Sequence, residues 1–185
     1  GCAIHWENLP GFAERFPDVD VQSVLFEVDQ NIYTCAGGTA SLDMMLHMIA
    51  RFGMNGGRYE AVEFSGEAVQ ALSMPERMTL SNMSAELGAQ SGLIAPDEIT
   101  REWLLRHGVP DDAIDLTRWQ GDDNAQTVDH HFDAATLVPQ IAAPHSPANT
   151  HAVAALADVA VQVAYIGACT GAKLEDLRAA AQVLR

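Results

Sequence analysis

Cys169 stands in a short turn bounded by glycines, residues 167–171 (GACTG), between an apolar run and a stretch with helical spacing. Ligands gather at the carboxyl ends of strands in open α/β sheets, and a helix N-terminus stabilises a nearby thiolate. The thiolate of Cys169 is therefore a candidate ligand for a metal ion or a cluster. The alternative is a buried cysteine that packs as a small hydrophobic residue, and position alone favours that alternative.

Asn82 and Glu86 form a second candidate site, because they are four residues apart in a segment with helical character. At that spacing two side chains point the same way on a helix and could contact one ligand. Their neighbours are small, which indicates that this helix packs closely against other elements. A polar pair in such a setting needs hydrogen-bond partners. The alternative is an ordinary exposed pair on a helix surface.

The histidines are weaker candidates. His130 and His131 are adjacent, so on a strand they would face opposite sides and could not share a ligand. His145 and His151 bracket a proline-rich loop, and nothing in the sequence fixes their geometry. The chain has no CxxC pair, which argues against a zinc site built from cysteines.

Apolar periodicity and turn residues predict the elements that position these side chains. In the first half of the chain the predicted strands are residues 21–28, 32–35 and 59–64. The predicted helices are residues 39–52, a helix that starts at the capping box of residues 73–76 and runs to about residue 90, and residues 97–106.

The second half continues the same alternation. Residues 109–129 are acidic and rich in turn residues, which predicts an exposed connection. The remaining predicted elements are a strand at 127–132, an ordered loop at 139–149, a strongly apolar strand at 159–166 and a last helix marked by Leu174, Leu177, Ala181 and Leu184. Strands that alternate with helices indicate the α/β class with a largely parallel sheet.

Composition limits the classes of partner. The net charge is −15, which argues against binding nucleic acid. A small anionic substrate would need a local basic cluster, for which the candidates are Arg77, Arg101, Arg106, Lys173 and Arg178. No apolar run approaches the ~18–20 residues of a membrane span, and no signal peptide is visible. Three widely spaced cysteines and no export signal favour the cytoplasm, with reduced thiols.

Four runs of this sequence resemble the large chain of isopropylmalate dehydratase, homoaconitase and aconitase. They are residues 59–66 (YEAVEFSG), 72–96 (LSMPERMTLSNMSAELGAQSGLIAP), 139–149 (PQIAAPHSPAN) and 163–180 (VAYIGACTGAKLEDLRAA). The resemblance covers about two-thirds of the chain. It implies that residues 56–185 are part of an aconitase-type three-layer α/β domain, preceded by a short strand–helix piece.

The resemblance also implies a function. Members of this family dehydrate and rehydrate a 2-hydroxy di- or tricarboxylate, such as isopropylmalate or homoaconitate, on a [4Fe–4S] cluster held by three cysteines. Cys169 matches the first cluster cysteine, and Asn82 and Glu86 match the Asn-x-x-x-Glu motif near the cluster. Gly171 stands where many members have Asn, a homoaconitase-like variant.

Several parts of the family's active site are expected outside this sequence. The other two cluster cysteines are expected in a CxxC pair beyond Arg185, and neither Cys2 nor Cys35 matches them. The segment with catalytic Asp and His residues is expected before Gly56, and the swivelling domain, which can be a separate small subunit, is also expected elsewhere. We therefore expect little or no activity from this chain alone.

The N-terminal segment resembles a different family. Residues 2–7 (CAIHWE), 34–40 (TCAGGTA) and 42–47 (LDMMLH) are similar to the end of the amidotransferase-like sensor domain of AraC-class regulators. This predicts a sensor segment over residues 1–52 joined to the aconitase-like part at 56–185. The alternatives to an enzyme fragment are therefore a metabolite-sensing fragment without catalysis and a structural α/β domain with no site of its own.

Overall fold

A computed structural model describes the backbone of residues 2–3, 21–22, 26–29 and 32–35, and residues 40–183 apart from 123, 166 and 168–172. The described helices are α1 (Ala40–Phe52), α2 (Glu67–Gln70), α3 (Met74–Met83), α4 (Glu98–Arg106) and α5 (Leu174–Val183). Single 3₁₀ turns lie at Asp111–Ala113, Ala134–Thr136 and Val153–Leu156. Within these residues no helix combines the length and apolar character needed to cross a membrane.

The strands form small ladders between the helices. They are β1 (Cys2–Ala3), β2 (Val21–Gln22), β3 (Phe26–Asp29), β4 (Ile32–Cys35), β5 (Ala61–Glu63), β6 (Ser91–Leu93), β7 (Gln140–Ala142) and β8 (Thr150–Ala152). The β1–β2 and β5–β6 pairs are parallel, and the β3–β4 and β7–β8 pairs are antiparallel. Helices and strands alternate along the chain, which confirms the predicted α/β class.

Helix α1 supplies much of the described core. It extends over the range predicted from its apolar spacing, and Gly53 follows it with a φ of 76°, as expected of a residue that ends a helix. Met45 and Ile49 are fully buried and pack in one cluster with Leu72 and Leu80. Helix α1 also contacts the β7–β8 hairpin, where the Gln140 N–H donates to Asp43 Oδ1 at 2.7 Å.

Three predicted elements differ in the structure. Residues 127–132 form no strand, because their rings pack on the side of α1: the His130 and Phe132 rings lie 4.7 and 5.8 Å from the Phe52 ring. The loop predicted at 139–149 instead contributes strand β7 and connects it to β8, and the two strands form an antiparallel hairpin. Residues 159–165 form no strand either, because no other described segment pairs with them, and Ile166 lies outside the described residues.

Helix α3 is shorter than predicted, since its regular part ends at Met83 rather than near residue 90. The buried Ser84 hydroxyl donates to Leu80 O at 3.0 Å, a side-chain bond that competes with the helical pattern. After Ser84 the backbone hydrogen bonds join residues that are closer in sequence than in a regular α-helix, since Ala85 N donates to Asn82 O at 3.3 Å. Gly88, with a φ of 81°, ends the turns that follow.

Gly92 in β6 allows close contact between this strand and α3. A Cβ at Gly92 would lie 2.8 Å from Ser84 Cβ and 3.0 Å from the Ser81 Cα, so a side chain has no room. We expect Gly92→Ala to lower the free energy of unfolding by ~1–3 kcal/mol through overpacking. Urea unfolding followed by circular dichroism measures this change.

Gly121→Ala is the matched control, because a Cβ there meets only the flexible carboxylate of Glu63, at 3.2 Å. Its unfolding free energy should stay within ~0.5 kcal/mol of the parent chain. Equal unfolding curves for the two variants would show that β6 does not press on α3.

Candidate functional site

Helix α3, which carries Asn82, begins at the capping box predicted from the sequence. The Ser73 N–H and hydroxyl both donate to Glu76 Oε2, at 2.8 and 2.7 Å. Pro75 lies in the first turn, where its missing N–H costs no helical hydrogen bond. Local sequence therefore fixes where this helix starts and which of its residues share a face.

Asn82 and Glu86 lie on consecutive turns at the end of this helix. Asn82 is exposed in the last turn of α3, and Glu86 is half-buried in the turns beyond Met83. The winding continues past the end of the helix, because Glu86 N and Leu87 N both donate to Met83 O, at 3.1 and 3.3 Å. Glu86 therefore follows Asn82 by about one turn, as the four-residue spacing suggested.

Glu86 carries a carboxylate oxygen with an unmet hydrogen-bonding capacity. Its Oε2 is buried and has no hydrogen-bond partner among the described residues. A buried acceptor without a donor loses its hydration without compensation, which is unfavourable unless another group supplies a proton. This oxygen is therefore ready to accept a hydrogen bond from a ligand or from a part of the chain that the structure does not describe.

Lys173, just before helix α5, contacts the same side of α3. Its Nζ donates to the Thr79 hydroxyl at 3.0 Å and pairs with Asp176 Oδ2 at 3.0 Å. Thr79 and Asn82 are three residues apart in a regular helix, so they share a face. The chain that follows residues 168–172 therefore adjoins the face of α3 that leads to Asn82 and Glu86.

Arg77 is buried and holds helix α4 against α3. Its two Nη atoms bind the two carboxylate oxygens of Asp97, the N-cap of α4, each at 2.7 Å. Its Nε donates to Leu72 O at 3.0 Å and its Nη2 to Gln70 O at 2.9 Å. The hydrogen bond from Arg77 holds the pKa of Asp97 below its ordinary value, against the opposing effect of burial.

The other basic candidates for an anionic ligand are mostly engaged by carboxylates nearby. The pairs are Arg101 with Glu98 and Asp111, Arg106 with Glu102, and Lys173 with Asp176. Arg178 is exposed on α5. The described residues therefore give no cluster of uncommitted cations, and Arg77 in particular has a structural partner rather than a ligand.

A cleft of about 460 Å³ opens between α3 and the start of α4. Asn82 and Ser81 supply polar groups to its wall, and its other lining residues are Met74, Arg77, Met78, Ile94, Pro96 and Thr100. A larger cavity of about 520 Å³ lies beside the connection at 109–121 and is lined by neither Asn82 nor Glu86. The cleft beside Asn82 is the described space that a small polar ligand could enter near the predicted pair.

The histidines do not assemble a site among the described residues. His130 packs on Phe52, and His151 lies 2.9 Å from the side-chain oxygen of Asn149. His145 is exposed in the hairpin loop. In the part of the chain that the structure describes, no three His, Cys, Asp or Glu side chains come together to hold a metal ion.

Cys169 lies outside the described residues, as do the side chains of Cys2 and Cys35. The described residues alone therefore supply no set of thiolates for an iron–sulfur cluster, which needs several. What the structure does describe is the approach to Cys169: Lys173, four residues later, is fixed on Thr79.

Sequence reasoning missed the contact between Thr79 and Lys173. Threonine and lysine are residue types that usually lie at the protein surface, so composition gives no reason to pair them. One local signal was present, because Thr79 precedes Asn82 by three residues and therefore shares its helical face. The structural role of Arg77 was also missed, although Asp97 was visible as the residue that begins the next helix.

A model of the aconitase family (aconitate hydratase) matches residues 32–185, and the chain belongs to this family. The match includes strand β4 and helix α1, which lie inside the segment predicted to resemble a regulator sensor. The division of the chain at residues 52–56 stays a prediction.

Curated relatives agree with this assignment. The chain is 37% identical over 148 residues to the 3-isopropylmalate dehydratase large subunit of Elusimicrobium minutum, which covers 80% of this chain and 35% of that protein. The corresponding protein of Halothermothrix orenii is 40% identical over 144 residues, covering 77% of this chain and 33% of the relative. That of Moorella thermoacetica is 37% identical over 167 residues, covering 89% and 38%. The chain spans about a third of the length of these relatives.

Proposed function

We propose that this chain forms part of a hydro-lyase that removes and re-adds water on a small 2-hydroxy di- or tricarboxylate of the isopropylmalate or homoaconitate type. Membership of the aconitase family and the names of the relatives support the reaction class. We place it in the cytoplasm, where thiols stay reduced.

The contact between Lys173 and Thr79 carries this proposal. It joins two segments 94 residues apart, one of which follows Cys169 and the other of which precedes Asn82 on one helical face. Four residues of extended chain span at most ~14 Å, so Cys169 lies within that reach of Lys173. This limit supports the proposal that Cys169 acts in one site with Asn82 and Glu86.

Glu86 and Asn82 have complementary roles in this proposal. Glu86 Oε2, which has no donor among the described residues, accepts a proton or a hydrogen bond from the substrate or from the water that is exchanged. The Asn82 side chain, at the exposed end of α3, presents an amide that can donate to a substrate carboxylate. Both roles use ordinary chemistry of these groups and need only that the substrate reaches the end of α3.

The cluster and the partners belong to the same proposal. Cys169 is proposed as one ligand of a [4Fe–4S] cluster, and the remaining thiolates come from outside this sequence, which contains no CxxC pair. A small subunit with the swivelling domain would complete the substrate site. We therefore propose that the isolated chain has little or no activity.

A chimeric enzyme tests this function. The matching third of the Moorella thermoacetica large subunit is replaced by this chain and produced with that organism's small subunit under anaerobic conditions. We expect the chimera to dehydrate 3-isopropylmalate, measured by the ultraviolet absorbance of the unsaturated product. Cys169→Ser should abolish the activity, and Cys35→Ser, the matched control, should retain it.

Two results would contradict the proposal. One is a chimera that folds, as judged by its circular dichroism and melting temperature, but turns over no substrate. The other is activity that survives Cys169→Ser. Separately, the isolated chain should not form a stoichiometric brown chromophore after anaerobic reconstitution with iron and sulfide. A stable chromophore that depends on Cys169 would show that the chain alone can hold a cluster.

A further inference from the structure

Lys173 stands between Cys169 and helix α5 in the sequence, and its side chain reaches helix α3. Its Nζ donates to the Thr79 hydroxyl at 3.0 Å and forms an ion pair with Asp176 Oδ2 at 3.0 Å. The side chains of Lys173 and Asp176 are 20% and 18% exposed, and Thr79 is buried. The ammonium therefore joins two helices, which an ordinary ion pair on the surface of one helix does not do.

The Thr79 hydroxyl is oriented to accept this hydrogen bond. It donates its own proton to Pro75 O at 3.2 Å, one turn earlier in α3. A hydroxyl has one proton and two lone pairs, so a hydroxyl whose proton is engaged presents its lone pairs to other donors. The Lys173 ammonium has three N–H groups and no acceptor, which suits it to bind Thr79 and Asp176 together.

Asp176 also holds the backbone of Lys173. Its Oδ2 accepts from the Lys173 N–H at 3.0 Å, and Lys173 directly precedes the first residue of α5. A carboxylate in the first turn that binds the N–H preceding the helix forms one half of a capping box. The Leu177 N–H donates to Lys173 O at 3.1 Å, which begins the helical ladder. Both the main chain and the side chain of Lys173 are therefore fixed.

A fixed point this close to Cys169 limits where the thiol can lie. Only Thr170, Gly171 and Ala172 separate Cys169 from Lys173 in the sequence, so the reach between them is short. Glycine loses more conformational freedom than any other residue when it is ordered, so a segment that contains Gly171 gains from an external support. Groups that orient a metal ligand from behind raise the affinity of the site in this way.

We propose that Lys173 is a positioning residue for the cluster, because its ammonium holds the chain that follows Cys169 on α3 through Thr79 and Asp176. This inference rests on the proposed function, in which Cys169 is a ligand of the [4Fe–4S] cluster. Lys173 was also a candidate for binding an anionic substrate from the sequence. In the role proposed here it acts through the position of Cys169 and not through the substrate.

Cluster retention in the chimeric dehydratase tests this role. The chimera is loaded anaerobically and mixed with an iron chelator, and the visible absorbance of the cluster is followed. We expect Lys173→Met to lose the cluster ~10–100-fold faster than the parent, the usual effect of removing a group that orients a metal ligand. Lys173→Arg keeps the charge and the N–H donors, so it should restore most of the retention. Thr79→Val removes the acceptor at similar volume and should fall between them.

Arg101→Met is the matched control for cluster retention. Arg101 is also engaged by two carboxylates, those of Glu98 and Asp111, but it lies on helix α4. This variant should lose the cluster at the parent rate. An equal loss in Arg101→Met and Lys173→Met would assign the effect to general destabilisation and overturn the proposal.

The KM separates positioning from substrate binding. Per intact cluster, Lys173→Met should keep the KM of the parent chimera for 3-isopropylmalate, because the ammonium does not bind the substrate in this role. A raised KM in a variant that holds its cluster as well as the parent would assign Lys173 to the substrate and overturn the proposal.

Hydrogen exchange on the isolated chain gives a readout without any cluster. The Leu177 N–H is bonded to Lys173 O, so its exchange reports opening of the first turn of α5. We expect this amide to exchange faster in Lys173→Met than in the parent chain, and at about the parent rate in Lys173→Arg. Equal exchange in Lys173→Met and the parent would show that the ammonium does not hold the start of α5, which also overturns the proposal.

The Cys169→Ser chimera distinguishes failure of this inference from failure of the proposed function. It removes the ligand itself, so it should not retain the cluster. If Cys169→Ser holds the cluster as well as the parent does, the proposed function fails and the role of Lys173 fails with it. If Cys169→Ser loses the cluster while Lys173→Met keeps it as the parent does, only the role of Lys173 fails.

Discussion

Replacing Arg77 with methionine is expected to lower the free energy of unfolding by ~3 kcal/mol. The guanidinium is buried, with 4% of its side chain exposed, and it binds Asp97 through two hydrogen bonds of 2.7 Å. Methionine fills similar space but leaves the Asp97 carboxylate and the carbonyls of Gln70 and Leu72 without this donor. Breaking a buried pair costs ~3–5 kcal/mol, and the lower end applies because the Asp97 side chain is 35% exposed.

Arg106→Met is the matched control for this substitution. Arg106 is 69% exposed and its Nη2 lies 3.5 Å from Glu102 Oε2, so its pair contributes little. We expect its unfolding free energy to stay within ~0.5 kcal/mol of the parent chain in urea titrations. Similar losses in both variants would show that the Arg77 contacts do not connect α3 to α4 as the structure describes.

The same pair predicts how stability changes with pH. Because Arg77 holds the pKa of Asp97 below its ordinary value of 3.8, the unfolded chain takes up this proton first as the pH falls. The contribution of the pair is therefore complete above about pH 5 and is lost progressively as the pH falls through the lowered pKa of the folded carboxyl. In urea titrations over this pH range, the free energy of unfolding of the parent chain should fall more steeply with decreasing pH than that of Arg77→Met.

Local signals in the sequence predicted the described elements best. The capping box predicted at Ser73 marks a helix start because it satisfies N–H groups that a helix leaves free, and the structure shows a second such box at Asp97. Gly53 and Gly108 mark helix ends because their positive φ suits glycine. Such signals act within one turn of chain, so they need no knowledge of the rest of the fold.

Elements that depend on a distant partner were predicted less well. An apolar run such as residues 159–165 has strand composition, but a strand exists only where another segment pairs with it. Residues 127–132 were predicted to form a strand, but their rings pack against Phe52 on α1 instead. Periodicity reports the preference of a segment and says nothing about which surface it meets.

In the candidate site too, the local feature was predicted from the sequence and the long-range contact was not. The spacing of Asn82 and Glu86 places them on consecutive turns, and the structure shows this winding. The contact between Lys173 and Thr79 on α3 depends on how α5 packs against α3, and no local sequence pattern predicts that packing. The roles of Asn82, Glu86 and Cys169 came from a resemblance, and they remain proposals until substitutions are measured.

Glu86→Gln is expected to separate catalysis from stability. In the chimeric dehydratase described above, loss of the carboxylate should reduce the rate by ~10²–10⁴, the usual contribution of a group that transfers a proton. In the isolated chain the same change should leave the unfolding free energy equal or slightly higher. The reason is that Glu86 Oε2 is buried without a donor among the described residues, so a neutral amide of the same shape costs less to bury.

Glu60→Gln is the control, because Glu60 is exposed and has no buried oxygen that lacks a partner among the described residues. Both its activity in the chimera and its unfolding free energy should match the parent. A structural role for Glu86 predicts the opposite pattern, with lower stability and little change in rate per folded enzyme. Activity and urea unfolding measured on the same two substitutions therefore decide whether the buried oxygen acts on a ligand or serves the fold.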